Sequence, residues 1–481
     1  MGPVPELDER AQAAADRLRA ADRVLLASHI DADGLTSAAI ASTALERAGL
    51  AHEVIFKKQL DATEIASIAA TDYETVLFTD FGSGQLDSIS QHVASGDFDC
   101  VIADHHQPAD PDDCASVVSD TDGYADFECH LNPLLEGIDG ASELSGAGAS
   151  YVLARALGGE SNRDLAALAV VGAVGDMQAT GGELVGANQG IVADGVEAGV
   201  VTETRDLALY GKQTRPLPKL LEYASDVHIP GISNDESGAI AFLEDLGLDL
   251  REGSEWRRWV DLTDSEKQTV ASALVKRAVS RGVPANKIDR LVATTYTFPA
   301  EPEGTELRDA SEFSTLLNAT ARYERADVGL AVCLGERGEP LERARRLLQN
   351  HRRNLSEGIE WVTDQGVSQR EHVQYFDSGD RIRETIVGIV AGMALGSEGV
   401  SRSKPIVAFA AKNDEEVKVS ARGTGVLVGK GLDLSVVVGE AARAVGGDGG
   451  GHDVAAGATI PAGSEDAFLD EADTIVAAQL S

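Results

Sequence analysis

The sequence predicts an α/β fold in several parts: a doubly wound parallel-sheet domain, an inserted middle domain, and a smaller α/β domain at the C-terminus. Three observations predict it. Short apolar runs alternate with helical patterns from Arg23 to Ala103, the signature of βαβ units with both sheet faces covered. That regularity fades between Gly211 and about Asp380, where all three tryptophans, Trp256, Trp259 and Trp361, fall. A second strand and helix alternation begins near Pro405. At 481 residues the chain also exceeds what one compact core organises. The boundaries expected are 1–190, 191–400 and 401–481.

In order along the chain, residues 9–21 read as a helix, and Arg23 to Ser28 as an apolar strand ending in a polar loop. The next helix begins near Leu35. Strands follow at Glu53 to Phe56, Thr75 to Thr79 and Cys100 to Ala103, separated by helices at Ala62 to Ala70 and Gln85 to Ser95. Ala147 to Ala156 and Leu165 to Val174 read as buried helices whose small residues allow close packing. The last unit reads as strands at Ile406 to Ala411 and Val417 to Ala421, a helix at Leu432 to Val445, a glycine loop, and a strand at Val454 to Ile460. In such a fold a ligand site lies beyond the C-terminal strand ends.

Composition excludes several classes. No stretch approaches the roughly eighteen uninterrupted apolar residues of a membrane span. The acidic start, with Glu6, Asp8 and Glu9, shows no secretory signal, so a cytoplasmic location is expected. Cys100, Cys114, Cys129 and Cys333 have neither CxxC spacing nor disulfide density, which predicts reduced thiols and no zinc ribbon. The formal charge is −38, and Lys is scarce beside Arg. Carboxylates hold water and ions while long Lys stems expose apolar surface, so this surface suits concentrated salt and a halophilic source. The same charge opposes a broad electrostatic grip on nucleic acid. Any nucleic-acid site must be local.

Four acid or histidine clusters follow predicted strands or end a buried helix, where an uncompensated charge is costly. His29, Asp31 and Asp33 stand in SHIDADGL directly after the first strand, and Gly34 permits a sharp turn into the helix. Alone, this reads equally as a surface turn with N-capping aspartates. Asp80 ends an apolar strand before a glycine loop, where a helix cap is the plainer reading. Asp104, His105 and His106 follow VIA at another strand end; paired histidines there favour metal or phosphate contact. Asp176 ends the apolar helix AVVGAVG, where the helix dipole disfavours an anion unless a cation is near. Together they offer mixed carboxylate and imidazole ligands around one crevice, which suits Mn²⁺ better than an all-oxygen Mg²⁺ cage, although Mg²⁺ remains an alternative. A shared carboxylate bridging two ions suits phosphodiester cleavage.

Elsewhere, Ser420 and Arg422 end a strand, and Gly449, Gly450, Gly451 and His452 form a glycine-rich segment. Backbone amides and a guanidinium of this kind can clamp phosphate. Asn318 and Arg322 lie four apart on a helix in FSTLLNATAR, as candidate substrate contacts or a merely solvated face. The Arg343, Arg345, Arg346, Arg352 and Arg353 cluster reads as an ordinary helix exterior.

HIDADG, the strand-end Asp80, DHH at Asp104 to His106, GDMQ at Asp176 and the late GGGH resemble the ordered motifs of the DHH phosphoesterases with a DHHA1-type C-terminal domain. The inserted region and the phrases LYGKQTRPL and SEFSTLLNATAR are most similar to archaeal RecJ-like single-strand nucleases, a group that includes the GINS-associated nuclease. That resemblance implies that His29 and Asp31 hold one Mn²⁺, Asp33, His105 and Asp176 a second, and Asp80 bridges them. It further implies that His106 faces the scissile phosphate, Asp104 orients the histidines, and Arg422 and His452 hold the nucleotide.

The activity implied is an exonuclease that releases mononucleotides from single-stranded DNA or RNA during repair or replication. The alternatives are a nanoRNA or cyclic-dinucleotide phosphodiesterase and a replisome scaffold bound to the GINS complex; pyrophosphate is a weaker candidate. The complete set of expected metal ligands argues against a purely scaffolding role.

Overall fold

The computed structural model describes residues 2–109, 129–179, 181–224, 227–397 and 399–480, so Cys114 lies outside the described residues. The chain divides into two compact units, residues 1–345 and 346–481.

The first unit begins with α1 (Asp8–Arg19), β1 (Arg23–His29), α2 (Ala32–Arg47), β2 (Ala51–Lys57), α3 (Ala62–Ala69), β3 (Thr75–Thr79), α4 (Leu86–Ser95), β4 (Asp99–Ala103) and β5 (His130–Leu131). The five strands form one sheet in the order β2-β1-β3-β4-β5, and every pairing is parallel. Alternation along each strand feeds two cores. Leu26, Leu77 and Val101 pack with α1, α2 and α5 (Gly146–Gly158), whereas Leu25, Val76, Phe78 and Ile102 pack with α3 and α4. Parallel strands buried on both faces explain why these segments read as continuous apolar runs. The order reverses between β1 and β3, and at such a switch point the loops diverge and leave a crevice.

Beyond the sheet come α6 (Ala166–Gly175) and α7 (Ala187–Glu197). The inserted region follows: β6 (Thr202–Leu207), α8 (Leu217–Glu222), α9 (Glu236–Asp245), the hairpin β7 (Arg251–Glu252) and β8 (Glu255–Trp256), α10 (Asp264–Ser280), α11 (Ala285–Ile288) and β9 (Val292–Thr297). It has its own core, built by Leu217, Leu220, Leu243, Trp259, Val270 and Leu274 among others. Trp259 is fully buried, and its indole N–H is satisfied by Asp206 at 3.1 Å. Next are α12 (Ala310–Arg322), α13 (Ala326–Cys333) and the long α14 (Glu339–Gln365), which continues into the second unit. Along α14, Arg343 and Arg345 pair with Glu339 and Glu342 one turn away, as expected of a helix exterior.

The second unit contains β10 (Ser368–Gln369), β11 (Gln374–Asp377), α15 (Glu384–Ala394), β12 (Ile406–Ala411), β13 (Glu416–Arg422), α16 (Gly425–Val428), α17 (Leu434–Ala444), β14 (Asp448–Gly451), β15 (Ala455–Pro461) and α18 (Glu465–Leu480). Its sheet runs β10-β11-β12-β13-β15-β14, antiparallel except for the β11 and β12 pair. One finding departs from the sequence reading. Gly449, Gly450 and Gly451 form an edge strand against β15, not a loop, because cross-strand pairing overrides the low strand propensity of glycine. No helix among the described residues is long and apolar enough to cross a membrane.

Candidate metal centre

Strand register builds the site. Ser28 pairs with Thr79, and Thr79 with Ala103, so His29, the last residue of β1, and Asp80 and Asp104, which follow β3 and β4, lie side by side at the ends of the strands. The chain then turns into α2. Asp31 caps that helix, its Oδ1 accepting from Gly34 N at 3.0 Å, while its Oδ2 lies 3.2 Å from His29 Nδ1. Gly34 is required by proximity: a Cβ there would fall 2.1 Å from the His29 carbonyl oxygen. Asp33, in the first turn of α2, is buried and accepts from Gly146 N at 2.7 Å and Ala147 N at 3.0 Å, the start of α5. A carboxylate at that positive helix end is electrostatically favoured.

Asp80 sits at φ 60°, left-handed backbone that a non-glycine residue rarely adopts, and its backbone N–H donates to Ala103 O. The side chain is 2% exposed, and neither carboxylate oxygen has a hydrogen-bond partner among the described residues. The imidazoles of His29 and His105 flank it, Nδ1 at 3.4 Å and Nε2 at 3.3 Å. Buried oxygens left in this state point to a ligand. Strain stored at such a position is a further mark of a functional site.

His105 is buried with its Nδ1 2.7 Å from the Gly140 carbonyl, so that nitrogen donates and Nε2 faces Asp33 and Asp80. A metal-ligating imidazole is oriented in this way. Asp104 has no solvent exposure; it accepts from Ser83 N, His105 N and His106 Nδ1. Burial opposes its ionisation, yet the His106 hydrogen bond holds the carboxyl below the usual range. The His106 ring is half exposed. Asp176 caps the C-terminus of α6 and is followed by Met177 at φ 62°.

Potential ligand atoms lie within 4.8 Å of one another in three constellations: His29, Asp31 and Asp80; Asp33, His105 and Asp176; and Asp80, Asp104, His105 and His106. Electrostatics agree with a cation between them. Burial and the neighbouring Asp80 and Asp176 charges push Asp33 well up, and burial with Asp80 and Asp31 lifts Asp176 to about 6 although His105 opposes. Carboxylates that resist joint ionisation are reconciled by a divalent ion. The mixed oxygen and imidazole donor set fits Mn²⁺.

In the second unit, Ser420 pairs across β13 and β15 with Gly457, which in turn pairs with Gly450, so Ser420 and the glycine strand share one row of the sheet. Arg422, two residues on, donates to Ala421 O at 2.8 Å, and its guanidinium passes so close to Gly388 that a Cβ there would meet it at 2.4 Å. His452 is exposed, in the turn closed by its N–H to Ala455 O. Asn318 and Arg322 lie in the first unit; Asn318 Oδ1 accepts from Ala32 N at 3.1 Å, and Arg322 is exposed.

Family models match three stretches: the DHH family N-terminal domain over residues 23–173, the DHH-CID domain over 209–292, and the DHHA1 domain over 370–478. An uncharacterised protein of Methanocaldococcus jannaschii is 30% identical, over 94% of this chain and 93% of that protein. The chain is a member of the DHH/DHHA1 superfamily, and its fold is RecJ-like.

Solved structures share the fold of this DHH/DHHA1 chain. Exonuclease RecJ bound to manganese aligns over 98% of this chain and 95% of its own, with a TM-score of 0.58 and 16% identity. RecJ from Thermus thermophilus, in complex with Mn²⁺, gives 0.59 at 17% identity and covers 99% of this chain; the chain spans 55% of that protein's length. Cdc45 from Entamoeba histolytica gives 0.62 at 12% identity, over 98% of this chain and 97% of its own.

Three residues around the DHH centre went unassigned in the sequence. Gln178 Nε2 donates to Gly140 O at 2.9 Å and Asp176 Oδ2 at 3.0 Å, joining the Asp176 turn to the carbonyl that orients His105. Ser83 and Asn132 meet at 2.8 Å, and Asn132 Nδ2 also donates to His106 O. Gln178 stands within the quoted GDMQ, so proximity to Asp176 was the available signal. Ser83 and Asn132 carry none, being common loop residues.

Proposed function

We propose that this protein is a two-metal phosphodiesterase that acts as an exonuclease on single-stranded nucleic acid and releases mononucleotides. The observation that carries the metal-dependent reading is Asp80, whose two buried oxygens lack hydrogen bonds between His29 and His105. In this reading His29 and Asp31 hold one ion, Asp33, His105 and Asp176 the other, and Asp80 both. The ions, when bound, neutralise phosphoryl charge and activate water. Asp104 accepts from His106 Nδ1 and favours the protonated ring, so that Nε2–H donates to a phosphate oxygen of the substrate. Arg422, Ser420, His452 and the amides of Gly449, Gly450 and Gly451 bind nucleotide phosphate. With a net charge of −38, affinity comes from such local donors and not from a basic surface.

A strand-sized substrate is favoured over a dinucleotide by the inserted domain and by likeness to exonuclease RecJ along nearly the whole chain. Likeness to Cdc45 favours a second reading, a replisome component that binds the GINS complex. End-labelled DNA and RNA in Mn²⁺ and high salt separate these. Linear single strands are degraded to mononucleotides, whereas a closed circle of the same sequence and a blunt duplex survive. Hydrolysis of dinucleotides alone defeats the exonuclease reading. A folded protein with no hydrolysis of any substrate favours the scaffold.

A further inference from the structure

Helix α12 lies far along the chain from the metal-bearing loops yet touches two of them. Ala32 stands between Asp31 and Asp33, at the first position of α2, where a helix leaves its backbone N–H groups without internal partners. Its N–H donates to Asn318 Oδ1 at 3.1 Å, across 286 residues. Inside the loop, Asp31 Oδ1 takes Gly34 N, and the Asp33 oxygens take Gly146 N and Ala147 N. The Asn318 carbonyl thus clamps this loop from outside the stretch matching the DHH N-terminal domain.

The same helix reaches the second segment. A Cβ placed on Gly175, the residue before Asp176, would meet Ala32 Cβ at 2.9 Å and Ser314 Cβ at 3.2 Å, so α2, α6 and α12 converge there at backbone distance. Near its N-terminus α12 is fastened to the inserted domain. Glu312, fully buried, accepts from Gln213 N at 2.7 Å and Thr214 Oγ1 at 2.5 Å, and Asp309 caps the helix through Ser311 N. A helix fastened near its start to the inserted domain thus bears, through Ser314 and Asn318, on the loops carrying Asp176 and Asp31 with Asp33.

We propose that Asn318 is a positioning residue that sets the metal affinity of the centre through Ala32. This rests on the metal-centre reading above. The side chain acts through the loop: its carbonyl fixes the backbone between two ligand carboxylates, and without it Asp31 and Asp33 lose their common geometry.

The test is Mn²⁺ binding, followed by electron paramagnetic resonance of free and bound ion on the full-length chain, with no turnover involved. Asn318→Ala removes the acceptor and weakens Mn²⁺ binding about tenfold or more, the scale for losing a group that orients ligands. Asn318→Asp keeps an oxygen at that position and binds Mn²⁺ no more weakly than the wild type. If Asn318→Ala does not fold, Asn318→Ser, whose hydroxyl has too little reach for Ala32, is read in its place with the same expected loss. Unchanged affinity in the truncated variant overturns the proposal and leaves the metal centre standing. Equal weakening in the Asp and Ala variants overturns it too, because the acceptor oxygen is then not what acts. A wild-type protein that binds no Mn²⁺ removes the underlying reading with it.

Discussion

His106 Nδ1 lies 2.8 Å from Oδ1 of Asp104, a carboxylate without solvent exposure that is also held by Ser83 N and His105 N. The hydrogen bond makes Nδ1 a donor to the protein and favours the protonated ring, so that Nε2–H is the second donor. His106→Ala is expected to cost about 3 kcal/mol in kcat, the scale for losing one positioned donor, with Mn²⁺ stoichiometry unchanged. Loss of a bound ion in that variant makes His106 a ligand instead. Asp104→Asn, which disturbs the proton placement, is expected to lower kcat in the same direction without loss of Mn²⁺.

Gly146 offers a steric test of the centre. A Cβ at that position would fall 2.5 Å from Asp80 Oδ1, and its N–H supports Asp33 at 2.7 Å. Gly146→Ala is expected to displace both carboxylates and to lower Mn²⁺ affinity at least tenfold, the range seen when ligand-supporting groups are lost. Calorimetric titration checks it; an unchanged isotherm means that Asp80 is not held where the metal would lie.

Glu312 gives a pH signature away from the metal centre. Burial lifts its carboxyl to about 7, against the hydrogen bond from Thr214. A raised carboxylate keeps its proton in the folded state after the unfolded chain has lost it. Its contribution is therefore fully present below about 4.5, the unfolded value, and is lost as pH rises through about 7. The Tm of the wild type is expected to fall across that window by more than the Tm of Glu312→Gln. Parallel profiles for the two proteins refute the assignment.

Much of this architecture was legible because β1, β3 and β4 are buried on both faces and so appear as uninterrupted apolar runs, each stopped by a charged residue: His29, Asp80 and Asp104. What escaped depends on contacts that no local pattern records. The two-residue strand β5, His130–Leu131, is too short to show a period, and the glycine strand β14 has no side chains to alternate. The Gly140 carbonyl that orients His105 is backbone, invisible to any reading of side chains. Asn318 stood out as a polar helix face, but its partner Ala32 lies 286 residues earlier, so its carbonyl could not be placed without the fold.

Asp80 stands at the middle of the proposed two-metal centre, and one comparison tests its role most directly: Mn²⁺ titrated into wild type and Asp80→Ala while Tm and hydrolysis of a labelled single strand are followed together. Ions that bind only the folded state raise Tm in proportion to the logarithm of their concentration once above Kd. The wild type is expected to show that rise and Mn²⁺-dependent cleavage, both reversed by a chelator. Asp80→Ala, folded, is expected to show neither a comparable rise nor cleavage. Undiminished turnover by a folded Asp80→Ala protein would contradict the two-metal centre.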